Sequence, residues 1–137
     1  MYHEISYRVP YADTDRMGVV YHANYLVYFE RGRNEMLREA GLPYSEMERR
    51  GVIFPVSEAF CRYHAPAYYD DLLTFRTWIS EISGARIKIS THVLRGEVLL
   101  ASGHIVLASV NDQMKVVRLV PEVVEACKKY LWNKGEK

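Results

Sequence analysis

The sequence predicts an α+β fold in which one long early helix fills the concave face of an antiparallel sheet. Three observations carry that prediction: a single alternating strand at the start, an apolar stripe at helical spacing straight after it, and period-two patterning that runs for about sixty residues from Val52 onward. One strand, one helix and then a series of strands joined by short links is an α+β layout.

Residues 3–11 alternate, with Ile5, Tyr7, Val9 and Tyr11 on one face and Glu4, Ser6 and Arg8 on the other, as a half-buried strand does. Pro10 and the Asp13-Thr14-Asp15 cluster end it, and Gly18 marks a turn. A helix is expected over 22–40, because Tyr25, Leu26, Phe29, Gly32, Met36, Leu37 and Ala40 recur on one face. Asn24 is the expected N-cap, and Gly41 followed by Pro43 stops the helix. Gly32 lowers helix propensity but lets another chain segment come close. A second helical turn is expected over 44–50.

Four strands follow, over 53–63, 72–82, 86–94 and 98–110. Their separators carry turn residues: Pro66 with Asp70-Asp71, then Ser83-Gly84, then Arg95-Gly96. Links that short make consecutive strands antiparallel neighbours. In the third of them Ile87, Ile89, Thr91 and Val93 oppose Arg86, Lys88, Ser90 and His92. Residues 116–120 are expected to add a last strand piece, and Pro121 opens a terminal helix with Val123, Val124, Cys127 and Leu131 inward. We expect one domain over 1–132 and a frayed tail over 133–137.

The chain has 137 residues and is 49% hydrophobic, enough for one core and too short for two ordinary domains. Lys plus Arg (18) nearly balances Asp plus Glu (17), so no global field points to nucleic acid or an anionic membrane. Cys61 and Cys127 form no C-x-x-C pair and read as reduced thiols. No basic-then-apolar leader opens the sequence, and no stretch approaches the roughly eighteen apolar residues of a membrane span. The expectation is a cytoplasmic protein with no transmembrane segment.

The chemistry concentrates in residues 11–35, where a paired-aspartate turn runs directly into the start of the long helix. Backbone N–H groups of a first helical turn lack intrahelical partners and carry partial positive charge, so they suit an oxygen that is becoming negative. An aspartate held beside them could attack the polarised carbonyl or aim a water at it. Asp-x-Asp-x-x-Gly also resembles the start of a calcium loop, but Met17 and Asn24 stand where that loop needs an oxygen ligand and a glutamate. His64, His92 and His104 match no zinc spacing and read as surface or sheet histidines. No Gly-x-Ser-x-Gly elbow, dinucleotide fingerprint or phosphate loop occurs.

The string Asp13-Thr14-Asp15-Arg16-Met17-Gly18-Val19-Val20-Tyr21-His22-Ala23-Asn24-Tyr25, with Phe29-Glu30 after it, resembles the signature of the 4-hydroxybenzoyl-CoA thioesterase family, closest to its Tol-Pal-associated acyl-CoA thioesterase branch. The segment Arg62-Tyr63-His64-Ala65-Pro66-Ala67-Tyr68-Tyr69-Asp70-Asp71 is similar to that family's second recurring stretch. The resemblance implies a hotdog fold, a curled antiparallel sheet around a central helix plus a short C-terminal helix, assembled as a dimer or a homotetramer built as a dimer of dimers. It implies hydrolysis of acyl-CoA thioesters without metal or prosthetic group, coenzyme A being part of the substrate. Asp15 then maps to the catalytic aspartate and His22 to the backbone N–H that holds the oxyanion. Tyr21, Asn24 and Tyr25 match as positioning or substrate-binding residues.

Plainer roles stand beside these. Asp13 reads as a turn former or cap partner. His22 could be a general base through its side chain, although the helix start disfavours a charged imidazole there. Tyr63 lines the acyl pocket or is simply core. Arg86, Lys88 and Arg62 meet coenzyme A phosphates at a groove edge or form a solvated strand face. Two other functions fit the same architecture: a hydro-lyase acting on acyl thioesters, and a non-catalytic module binding acyl-CoA or an acyl-carrier protein.

Overall fold

The computed structural model describes residues 1–42 and 44–132; Pro43 and the expected frayed tail over 133–137 lie outside the described residues. Five strands form one antiparallel sheet: β1 (His3–Arg8), β2 (Val56–Tyr63), β3 (Leu72–Ser83), β4 (Arg86–Arg95) and β5 (Val98–Ala108). Their order across the sheet is β1-β3-β4-β5-β2. The long helix α1 (Asn24–Glu39) packs chiefly against β3 and β1, with α2 (Tyr44–Arg49) beside it, and α3 (Pro121–Cys127) buries Val123 and Cys127. This is the hotdog arrangement. No described helix is long and apolar enough to cross a membrane.

Period two in the sequence becomes two faces in space. Phe75, Thr77 and Ile79 of β3 and Ile87, Ile89, Thr91 and Val93 of β4 turn inward and are buried, while the residues between them stay half-exposed. Against them α1 buries Tyr25, Tyr28, Phe29, Gly32, Arg33, Met36 and Leu37. Two glycines make that contact close. A Cβ on Gly32 would run into Thr77 Oγ1, and one on Gly103 would run into the Phe60 carbonyl and come within 2.7 Å of the Phe29 ring.

Several expectations are corrected. The inward stripe of α1 includes Tyr28 and Arg33 but not Leu26, which is exposed. Tyr11 does not continue the inner face of β1, because Pro10 has no N–H for a ladder and the chain leaves in a 3-10 turn over Tyr11–Asp13. Asn24 is the first helical residue rather than the cap; Ala23 occupies the cap position, and the Asn24 side chain donates to the Asp13 carbonyl at 2.9 Å. Residues 116–120 form no strand, only a single bridge between Val110 and Val116. Gly41, at φ +90°, ends α1 as expected, with Leu42 N–H donating to the Leu37 carbonyl.

Candidate functional site

The turn that carries the paired aspartates is fastened at both ends. Asp15 N–H donates to the Val19 carbonyl at 2.8 Å, Thr14 and Val20 form a bridge, and Val20 N–H reaches the Ala67 carbonyl at 2.8 Å. The loop after β1 is thereby tied to the loop after β2.

The two aspartates have different surroundings. One oxygen of Asp13, Oδ2, accepts the Tyr7 hydroxyl at 2.7 Å and the Tyr28 hydroxyl at 2.8 Å, while its backbone carbonyl accepts Tyr21 N–H and the Asn24 amide. Burial, reinforced by the Asp13 hydrogen bond, pushes the Tyr7 hydroxyl up to about 12 and that of Tyr28 well above the usual tyrosine range. Asp13 is an anchor joining β1, the turn and α1. Asp15 is half-buried, and its Oδ1 accepts Met17 N–H at 2.8 Å. Among the described residues Oδ2 of Asp15 has no hydrogen-bond partner, so half of that carboxylate is uncommitted.

The helix start presents two uncommitted donors. Tyr21 N–H is taken by the Asp13 carbonyl and Asn24 N–H by the Tyr21 carbonyl at 2.9 Å. Between them, the amides of His22 and Ala23 have no protein acceptor among the described residues. They stand ahead of the first turn of a sixteen-residue helix, where the dipole favours negative charge.

A cleft of about 320 Å³ is lined by His22 together with Val20, Tyr25, Tyr63, His64, Ala65 and Pro66. Tyr63 donates its hydroxyl to the His22 carbonyl at 2.9 Å and packs edge-on against Tyr25 at 5.2 Å between ring centroids. Burial pushes the Tyr63 hydroxyl up to about 12 and raises the neighbouring Cys61 thiol. The Tyr21 ring leans on His22, 4.5 Å away.

The structure therefore brings His22, Tyr25 and Tyr63 together at the cleft, with Tyr21 and Asn24 in the adjoining turn. It does not bring Asp15 into the cleft lining of the single chain; Asp15 lies just across the Thr14–Val20 bridge. Arg86 and Lys88 line a separate hollow with Glu81, Ser83 and Val106. Arg86 pairs with Ala108 and Tyr63 with Ala101, so seven positions of β5, about 23 Å, separate their levels. Among the described residues no group of three or more His, Cys, Asp or Glu side chains could hold a metal ion.

Two features were not drawn from the sequence. His64 lines the cleft, its ring 2.9 Å from the Ser102 hydroxyl; the signal was its place beside Tyr63 in the second recurring stretch. The Tyr7–Asp13–Tyr28 anchor was legible only as an inward tyrosine on β1 and a tyrosine three residues after Tyr25.

Residues 9–127 match the model of the thioesterase-like superfamily. The chain is 38% identical over 121 residues to the acyl-CoA thioesterase YbgC of Haemophilus influenzae, covering 87% of this chain and 89% of that protein. It is 41% identical over 85 residues to YneP of Bacillus subtilis, a match spanning 62% of each. The solved structure of a DHNA-CoA thioesterase from Staphylococcus aureus superposes with a TM-score of 0.87 at 30% identity, covering 93% of this chain and 89% of that one.

Proposed function

The chain belongs to the thioesterase-like superfamily, and we propose that its acyl-CoA thioesterase reaction runs on Asp15 and the amide of His22. The observation that carries this reading is the unclaimed N–H of His22, a residue that lines a tyrosine-walled cleft, with a half-committed carboxylate one bridge away. Donors fixed where an oxygen gains charge lower the barrier to acyl transfer without reorganising during the reaction.

In this scheme the thioester carbonyl oxygen sits on the His22 N–H. The Asp15 carboxylate either adds to the carbonyl carbon, expelling coenzyme A thiolate to leave a mixed anhydride that water hydrolyses, or takes a proton from a water that adds directly. Both routes release free acid and coenzyme A thiol, and neither routes a step through a metal or prosthetic group. Tyr21, Asn24, Tyr25 and Tyr63 bind or position the acyl thioester.

The groove is completed between two copies of the chain, as a dimer or a dimer of dimers. In support, β2 is an edge strand that leaves Val56 and Phe60 exposed. A reducing cytoplasm fits the two free thiols, Cys61 and Cys127. Acyl groups on an acyl-carrier protein present the same thioester, and Arg86 and Lys88 are the basic pair proposed to meet coenzyme A phosphates.

The test is thiol release across short aliphatic, long aliphatic and aromatic acyl-CoAs, with an acyl-carrier-protein thioester alongside. Free thiol from at least one class is expected. No thiol from any, with the acyl group chemically altered, would mean a hydro-lyase. No thiol with intact acyl-CoA bound would mean a binding module.

A further inference from the structure

We infer that Arg95 and Asp71 are a positioning pair, which grips the two peptides flanking Ala67 from one side and so fixes a wall of the cleft against the chain that runs from Asp15 to His22. The inference rests on the thioesterase reading and extends it from the groups at the site to the pair that sets their spacing.

A trans peptide is planar with its C=O and N–H pointing in opposite directions, so a group that holds one end aims the other. None of the described peptides is cis. In the peptide joining Pro66 to Ala67, the carbonyl accepts Arg95 Nη1 at 3.1 Å. Its opposite end, the Ala67 N–H, is turned to the Tyr25 hydroxyl: burial raises that hydroxyl, and the hydrogen bond from Ala67 offsets part of the rise. In the next peptide, joining Ala67 to Tyr68, the ends exchange roles. The Tyr68 N–H donates to Asp71 Oδ2 at 2.9 Å, and the Ala67 carbonyl opposite it accepts Val20 N–H at 2.8 Å. The two grips form one unit, because Arg95 Nη1 also donates to the same Asp71 oxygen at 2.8 Å.

Three residues that line the cleft therefore meet at Ala67: Pro66 precedes it, Tyr25 takes its N–H and Val20 its carbonyl. The Val20 bond carries the arrangement toward the reacting groups. Val20 bridges to Thr14, while Val19 bridges to Tyr68 and accepts Asp15 N–H at 2.8 Å. His22 follows two residues later. The spacing between Asp15 and His22 is thus referred to the loop after β2, and the middle of that loop to Arg95.

Arg95 is anchored independently of what it holds. It is the last residue of β4 and pairs with Val98 across the hairpin, and its guanidinium lies 5.9 Å from the centre of the Tyr68 ring. The two ends of the loop are tied by backbone alone: His64 and Ala65 donate to the Leu100 carbonyl, and the Asp71 carbonyl accepts Val9 N–H. Among the described residues no other side chain donates to the Pro66 carbonyl. A charged donor and a charged acceptor make these bonds stronger than neutral ones, and both members of the pair are half-buried.

The test compares the parent with Arg95→Met, which keeps an unbranched apolar stem and removes the donors, and with Arg95→Lys, which keeps the charge without the planar fork. The measurements are kcat and KM on the best acyl-CoA, Kd for a non-hydrolysable thioether analogue, the melting midpoint, and amide hydrogen exchange at Val20 and Tyr68, with Ile89 in the middle of β4 as the control. In Arg95→Met we expect kcat to fall about tenfold or more, since small displacements of reacting groups are costly, while the analogue Kd stays within about threefold. Exchange should speed up about tenfold at Val20 and Tyr68 and stay unchanged at Ile89. Arg95→Lys should fall between the two on both readouts, and should Arg95→Met not fold, it makes the same comparison against the parent. A parent-like kcat with fast exchange at Val20 would overturn the inference, because the loosened wall would then not matter to turnover. A lowered kcat with unmoved exchange at Val20 would overturn it too. A loss shared by Ile89 and the melting midpoint would make the pair a prop of the whole fold rather than of the site. Each of those three results leaves the thioesterase reading intact. A parent that releases no thiol from any acyl-CoA would remove that reading, and this inference with it.

Discussion

Tyr28, within the second turn of α1, donates its hydroxyl to Asp13 Oδ2 at 2.8 Å, spanning fifteen residues of sequence. The same oxygen receives Tyr7 from β1. This one carboxylate therefore sets how far the aspartate turn stands from the helix and from the sheet edge. Because Asp13 O also takes Tyr21 N–H, the anchor leads directly to the residue before His22.

Tyr28→Phe should destabilise the fold by about 1–2 kcal/mol, the range for a partly buried hydrogen bond to a charged group when a second donor remains. Denaturant unfolding checks the figure. Tyr7→Phe should cost less, since its ring is more exposed than that of Tyr28. The double variant should exceed the sum, because it strands Asp13 Oδ2 without a donor.

Alkaline pH should act through the same pair. Tyr7 ionises at about 12 and Tyr28 higher in the folded chain, against about 10 when unfolded. Both folded values are raised, so the contribution is fully present below pH 10. As pH rises from about 10 to about 12 the unfolded chain sheds these protons first, and stability falls over that window. Tyrosinate absorbance during alkaline unfolding should show a late-titrating pair, and the Tyr7→Phe/Tyr28→Phe double variant should lose less stability across that window. An equal loss would assign it to other groups.

Most of the architecture was legible because β3 and β4 each bury one face, which turns period two into a readable signal. The stripe of α1 was harder. Leu26 is apolar yet faces out, and Tyr28 and Arg33 are polar-tipped yet buried, because the curled sheet covers a wider arc of the helix than hydrophobicity alone marks. The aspartate turn's place beside the helix start was legible because Asp13, Asp15 and His22 follow one another in chain order, whereas the cleft's other walls depend on register. Nothing local in Tyr63-His64 says that β5 delivers them beside His22, nor that Arg86 falls at a distant level of the same strand.

Gly103→Ala should be the more severe of two buried glycine substitutions. Its Cβ would meet the Phe60 carbonyl on the neighbouring strand β2, a backbone atom that cannot swing aside, as well as the Phe29 ring. At Gly32 the obstacle is the Thr77 side chain, which can rotate, and alanine also improves helix propensity. Overpacking of about 1–3 kcal/mol is expected at Gly32 and more at Gly103. Melting midpoints of the two single variants, measured together, decide the order, and a Gly103→Ala variant as stable as the parent would show that β2 can move away from β5.

Exchanging each aspartate of the pair for asparagine should separate chemistry from scaffold. In Asp15→Asn the side-chain oxygen can still accept Met17 N–H, so the turn keeps its shape and the unfolding midpoint should stay near that of the parent. What disappears is the negative charge on the oxygen that has no partner among the described residues, the one available to add to a carbonyl or take a proton from water. Turnover should fall at least about a hundredfold, with KM little changed. Asp13→Asn should do the reverse in emphasis. Replacing a charged acceptor shared by two tyrosines weakens both bonds, lowers the melting midpoint, and reduces turnover only as far as the turn loosens. Thiol-release kinetics and thermal unfolding on the two variants side by side give a two-by-two outcome. Parent-like turnover in a folded Asp15→Asn enzyme would remove Asp15 from the mechanism, and a large loss in a fully stable Asp13→Asn enzyme would put Asp13 in its place.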